Sequence, residues 1–210
     1  AAQAQGAASI AGPQGYGSEQ YVPAGTQLPY TIRFTNPAEA MTTANEVRIV
    51  SQLDLNLSAR TFRLGDMKIG GINIRMPANR ASFQGDFDFR QSLGFIVRVS
   101  AGIDSSTGIA SWLLQAIDPE TGEVMQDATR GLLAPDNTQG QGSGFVSYTV
   151  ASAFGAPSGA RISASARVLL NNQAPIETNT ITSRLDATAP VTAVSARQVA
   201  VGGGDYQVTW

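Results

Sequence analysis

The chain has 210 residues, 14 Lys+Arg against 16 Asp+Glu, and neither histidine nor cysteine. These counts exclude a Ser-His-Asp triad, a Cys-His nucleophile pair, a zinc site of the usual N/S type and any disulfide. A net charge of −2 lacks the basic face that nucleic acid requires. Charged residues make up 14% of the chain against about 25% in ordinary globular domains. Gly, Ser, Thr, Asn and Gln fill the gap, a texture common in bacterial secreted and surface proteins.

Residues 1–20 are rich in Ala, Gly and Gln and are expected to be an extended N-terminal arm. The opening lacks a basic n-region and an apolar h-region, so it does not read as a signal peptide. It reads instead as a processed end or a cut within a longer chain. No apolar run reaches the 18 residues of a membrane span.

From residue 21 the dominant period is two. Tyr30, Ile32 and Phe34 alternate with Thr31 and Arg33, and Val47 and Ile49 flank Arg48. The same alternation recurs over Ile72–Met76, Phe95–Val99, Trp112–Ala116, Val146–Val150 and Ile162–Val168. Alternation of this kind predicts strands with one buried and one wet face, as in antiparallel sheets. Turn signals separate them: Asn36-Pro37, Gly70-Gly71, Asp118-Pro119-Glu120-Thr121-Gly122 and Ala156-Pro157-Ser158-Gly159. Ala38–Glu46 is the best helix candidate, and Thr42 and Thr43 limit it to a single turn. Many short strands with Gly/Pro turns predict an all-β antiparallel sandwich over residues 21–186.

A connector over residues 187–190 leads into a tail, 191–210, whose strand-like runs include Val191–Val194, Val199–Val201 and Tyr206–Trp210. The tail reads as the start of a second β-module, or as a strand donated to a neighbour through Tyr206, Val208 and Trp210.

Two blocks carry a resemblance to a family. Leu28-Pro29-Tyr30-Thr31-Ile32-Arg33-Phe34-Thr35-Asn36-Pro37 with Ala44–Ile49 forms the first. Gly144–Val150 with Gly159–Ile162, Ala164–Val168 and Asn179-Thr180 forms the second. Together they resemble the conserved-repeat Ig-like modules of large multidomain bacterial surface and secreted proteins. Roughly ninety residues intervene, so the resemblance implies an Ig-like β-sandwich with a large insertion. It also implies a following fibronectin-III-like or Ig-like module, and it brings no catalytic residues with it.

The chemistry-bearing residues are few. Asp86 and Asp88 stand two apart on a strand and would share one face, with Phe87 and Phe89 turned inward. Paired carboxylates serve acid/base catalysis or calcium, and a solvated strand face is the plainer reading. Asp104, Asp118, Glu120, Asp136 and Asn137 lie in loops where carbonyls would complete a calcium shell. Turn residues of this type more often bond their own backbone. Calcium is therefore the one cofactor to look for.

Tyr16, Tyr21 and Trp112 are available to stack on sugars, but Trp112 runs in phase with Leu114 and Ala116 and belongs to the core. Lys68, the single lysine, is the sole donor for an isopeptide crosslink. The function expected is non-enzymatic: a structural or adhesive module of an extracellular or cell-surface protein. The alternatives are a self-assembling filament or sheath subunit and a carbohydrate-binding module. The partners expected are adjacent β-modules of the same chain or further copies of it. A glycan is the remaining partner class, and nucleic acid and a membrane span are not expected.

Overall fold

The structure is a computed structural model that describes residues 7–188, 193–200 and 202–209. Its strands, in chain order, are β1 (Ala8–Ala11), β2 (Tyr21–Pro23), β3 (Leu28–Thr35), β4 (Glu46–Gln52), β5 (Arg63–Ile69), β6 (Ile72–Ile74), β7 (Ser82–Phe89) and β8 (Phe95–Asp104). Next come β9 (Ile109–Ile117), β10 (Ser143–Val150), β11 (Arg161–Ala164), β12 (Arg167–Leu170), β13 (Ile176–Glu177), β14 (Ile181–Asp186), β15 (Ser195–Gln198) and β16 (Tyr206–Thr209). The helical content among the described residues is one 3₁₀ turn, Ala59–Thr61. Over Ala38–Glu46 a turn closes through Ala40 N–H to Pro37 O, and no helix follows.

Two sheets carry the core. One has the order β1-β3-β10-β5-β6 and the other β13-β12-β4-β9-β8-β7. Every pairing within both is antiparallel. The period-two residues point into the space between the sheets. Leu28, Tyr30, Ile32 and Phe34 are buried on β3, and Val146, Tyr148 and Val150 on β10. From the opposite sheet come Val47 and Ile49 of β4, Val97 and Val99 of β8, and Trp112 and Leu114 of β9. Cross-strand register puts Ile49 opposite Trp112 and Val47 opposite Leu114, so neighbours on one face pack together.

Aromatic rings tie the layers at the centre. Tyr148 lies 5.1 Å from Tyr30, 5.1 Å from Phe62 and 5.6 Å from Trp112, centroid to centroid. These separations fall in the range where ring pairs add to plain area burial. Burial pushes the Tyr30 hydroxyl up to about 12, with the Asp54 carboxylate adding to the shift. Tyr148 is raised as well, chiefly by burial and then by Tyr30.

The run Ile162–Val168, continuous in alternation, is divided. β11 pairs with β14 in a third sheet of order β11-β14-β2, while β12 pairs with β4. At the break, side chains replace the ladder: Ser51 Oγ donates to Ser165 O at 2.7 Å, and Ala166 N–H donates to Thr178 Oγ1 at 2.9 Å. Ala164, Ala166 and Val168 stay buried across the switch, so the hydrophobic phase survives the change of sheet.

Within the segment expected to be an extended arm, Ala8–Ala11 forms β1 and pairs with β3. Asn179 then fixes the other side of that strand, accepting from Ile10 N–H at 2.9 Å and donating to Ile10 O at 3.1 Å. The residues between the two resembling blocks supply β5 to β9, which are integral to both main sheets.

In the tail, β15 and β16 form an antiparallel pair, Ser195 opposite Thr209 and Gln198 opposite Tyr206. Val199 and Ala200 lie in a bend rather than a strand. Residues 189–192, Val201 and Trp210 lie outside the described residues. Among the described residues no helix is long and apolar enough to cross a membrane. The described residues form an all-β sandwich.

Candidate functional site

The acidic positions singled out from sequence are dispersed. Asp86 and Asp88 project from the exposed face of β7, while Phe87 and Phe89 turn inward and are half-buried. Each carboxylate has its own guanidinium. Arg98 donates from Nε and Nη2 to Asp86 at 3.0 and 3.1 Å, a two-pronged pair. Arg90 meets Asp88 at 2.6 Å through Nη2 and caps it with its backbone N–H at 3.0 Å. These hydrogen bonds hold both carboxyl groups below the usual carboxylate range. Two ionised, separately paired carboxylates do not share a proton.

The loop residues Asp104, Asp118, Asp136 and Asn137 are spent on their own turns. In the β8–β9 hairpin, Asp104 Oδ1 accepts from Ser106 Oγ at 2.6 Å, from Ser106 N–H at 2.9 Å and from Thr107 N–H at 3.3 Å. Those bonds lower its pKa, the Ser106 hydroxyl most. Asp118 accepts from Glu120 N–H at 2.8 Å, and Gly122 N–H closes the same turn onto Asp118 O. Asp136 accepts from Gly142 N–H, and Asn137 from Gln139 and Gln141 N–H. Among the described residues, no three acidic side chains gather closely enough to hold a metal ion.

Lys68 lies on the outer face of β5 across from Phe145, in a row that continues to Arg33. Trp112 is wholly buried, and its indole Nε1 has no hydrogen-bond partner among the described residues. It is therefore unavailable to a sugar. In the tail, Tyr206 and Val208 are 61% and 48% exposed, while Trp210 lies outside the described residues.

Tyr16 and Tyr21, the other two aromatics available to a sugar, are brought together. They form an isolated antiparallel bridge, each N–H donating to the other's carbonyl at 2.9 Å. A mutually bonded pair of this kind places both side chains on one side of the backbone. Tyr16 is 86% exposed and Tyr21 40%. Both border a cleft of about 660 Å³ that also takes in Pro23, Ser158, Asp186 and Thr188. The signal that marks the turn in sequence is Gly15-Tyr16-Gly17, where the glycines permit the backbone geometry and the tyrosine lies between them.

No family model matches the chain, and no curated protein does. Several solved structures are similar in fold. The collagen-binding domain of a Staphylococcus aureus adhesin aligns at 9% identity and TM-score 0.42, over 88% of this chain and 99% of that one. BcpA, the major pilin subunit of Bacillus cereus, aligns at 14% identity and TM-score 0.46, over 85% of this chain and 40% of that one. The C-terminal domain of the Streptococcus pyogenes antigen I/II-family protein AspA aligns at 11% identity and TM-score 0.43, over 84% of this chain and 46% of that one. The chain thus spans less than half the length of the latter two.

Proposed function

We propose that the chain is a structural and adhesive module of a bacterial extracellular or cell-surface protein, without catalytic activity. One observation carries the reading. The two main sheets close over a single continuous core that runs from Ala8 to Leu185, and Asp86, Asp88, Asp104, Asp118 and Asp136 outside it are tied up in ion pairs and turns. Such a body transmits load and displays loops, and cysteine-free stability follows from core area rather than from crosslinks. The uncharged polar texture of the sequence supports an extracellular setting. Antibody raised against the purified chain should label intact producing cells, and external protease should remove the antigen. Antigen that appears only after lysis would overturn the reading.

A second reading has its own support. The exposed apolar side chains Tyr206 and Val208 on β16 suit a strand that completes a sheet in another copy, making the chain a filament or sheath subunit. Deletion of residues 191–210 separates the two. Loss of polymers in electron micrographs favours assembly, and an unchanged monomer favours the module.

A further inference from the structure

Three backbone positions in six residues, Gly15, Gly17 and Gln20, are committed to holding Tyr16 outward. A Cβ on Gly15 would overlap the backbone carbonyl of Gln20, so that position admits only glycine. Gly17 has φ +70°, and Gln20, which is not glycine, has φ +54°. Left-handed backbone at a residue such as Gln is uncommon and persists where surrounding contacts over-determine it. Those contacts are present. Gly15 N–H donates to Gln20 Oε1 at 3.1 Å, Gln20 Nε2 to Gly17 O at 3.0 Å, and Arg184 N–H to Gln20 O at 3.1 Å. Arg184 also pins the loop through Glu19 at 2.6 Å. The result is a rigid turn that presents two aromatic rings to solvent, although buried positions for tyrosine exist in the same fold.

We infer that the Tyr16–Tyr21 turn, with Asp186, Ser158 and Thr188, is a binding site for an uncharged saccharide chain. This deepens the adhesive-module reading and rests on it for the setting in which such a ligand is met. The chemistry of the cleft selects the ligand class. A tyrosine ring offers a flat apolar face to the C–H face of a pyranose while its hydroxyl stays wet, at a small cost in side-chain entropy. Hydroxyl partners lie beside it. Ser158 Oγ and Thr188 Oγ1 stand 3.2 Å apart. Asp186 engages Thr188 N–H through Oδ1 at 3.0 Å, and among the described residues nothing hydrogen-bonds to its Oδ2.

Among the described residues, Asp186 is the one charged side chain lining the cleft. With no cation in that lining to receive a sulfate, phosphate or uronate, the site does not suit an anionic polymer. A protein partner is also a poor fit, because a stable interface covers roughly 800 Å² on each side. The apolar surface here is two rings and Pro23, and the adjoining Val22 is buried. A cleft of about 660 Å³ lies within the range of small-ligand sites.

The test is calorimetric titration of the full chain with cellohexaose, xylohexaose, mannohexaose and chitohexaose. At least one should bind, and Tyr16→Ala and Tyr21→Ala should each weaken that binding by about tenfold or more, equivalent to about 1.4 kcal/mol. Tyr16→Phe should retain it, and all three variants should melt with the parent protein. Absence of binding to all four, or binding indifferent to both alanine variants, overturns the inference. So does a protein partner that binds the parent chain but not Tyr16→Ala while no saccharide binds either. Surface labelling of cells alongside flat titrations would remove the ligand and leave the module standing.

Discussion

Tyrosine meets two opposite fates in this protein. Tyr30 and Tyr148 sit at the centre of the sandwich, 2% exposed each and stacked at 5.1 Å. Tyr16 and Tyr21 sit on a tight turn with their rings in solvent. The first pair is placed by strand phase, since each falls on the inward position of an alternating run. The second is placed by backbone chemistry at Gly15, Gly17 and Gln20, with no periodicity involved. A side chain's role in such a sandwich is therefore set less by its type than by which of these two rules governs its backbone.

Substitutions should split along that line. Trp112→Ala removes the largest wholly buried side chain and should cost about 3–5 kcal/mol by denaturant unfolding, in keeping with large-to-small core changes. Tyr16→Ala should leave the same curve unmoved. Equal effects of the two would erase the distinction.

The buried pair should make stability fall in alkali. Unfolded tyrosine releases its proton near 10, whereas Tyr30 holds its own to about 12 and Tyr148 is shifted in the same direction. Above pH 10 the unfolded chain thus binds fewer protons than the folded one, and stability falls as pH rises. The melting temperature should be flat with respect to these groups below pH 10 and decline between 10 and 12, with Tyr30 contributing on the order of 2 kcal/mol. Tyr30→Phe should shallow that decline.

Gly15→Ala should abolish whatever the tyrosine turn binds, because the new Cβ collides with the Gln20 backbone, while the sandwich still melts cooperatively. Asp86→Asn should have the smallest effect, with no measurable change in melting temperature, since the Asp86–Arg98 pair is solvent-exposed and worth little. EDTA should likewise leave the melting curve in place, and a drop on chelation would mean that one of the loops around Asp104, Asp118 or Asp136 holds calcium.

Much of the sandwich is legible in the sequence. β3, β4, β8, β9 and β10 alternate cleanly because both main sheets have one wet face, and Trp112 betrays its burial through its phase with Leu114. β5 hides itself. Its buried residues Leu64, Met67 and Ile69 are spaced three and then two apart, because the pairing with β10 shifts register between Val146 and Tyr148. β14 is obscured by Ser183, a polar residue on its buried face. β1 and β2 are four and three residues long, too short for a period to show, and β2 joins its neighbour in parallel.

The candidate site is less legible than the fold. Tyr16 and Tyr21 stand out as available aromatics. Their bridge, however, depends on a left-handed Gln20, and their polar surroundings arrive from residues about 140 to 170 positions away. The acidic residues mislead in the opposite sense. Asp86 and Asp88 do share a strand face, but cross-strand and local arginines that the spacing alone does not reveal take one carboxylate each.

The closed, dry core between two sheets is tested most directly by hydrogen exchange at the Trp112 indole Nε1–H, followed by nitrogen-edited NMR. If the sheets close over it as described, that proton should exchange only through global unfolding, as slowly as the amides of β9 and β10. Exchange within minutes under native conditions, while those amides remain protected, would contradict the account.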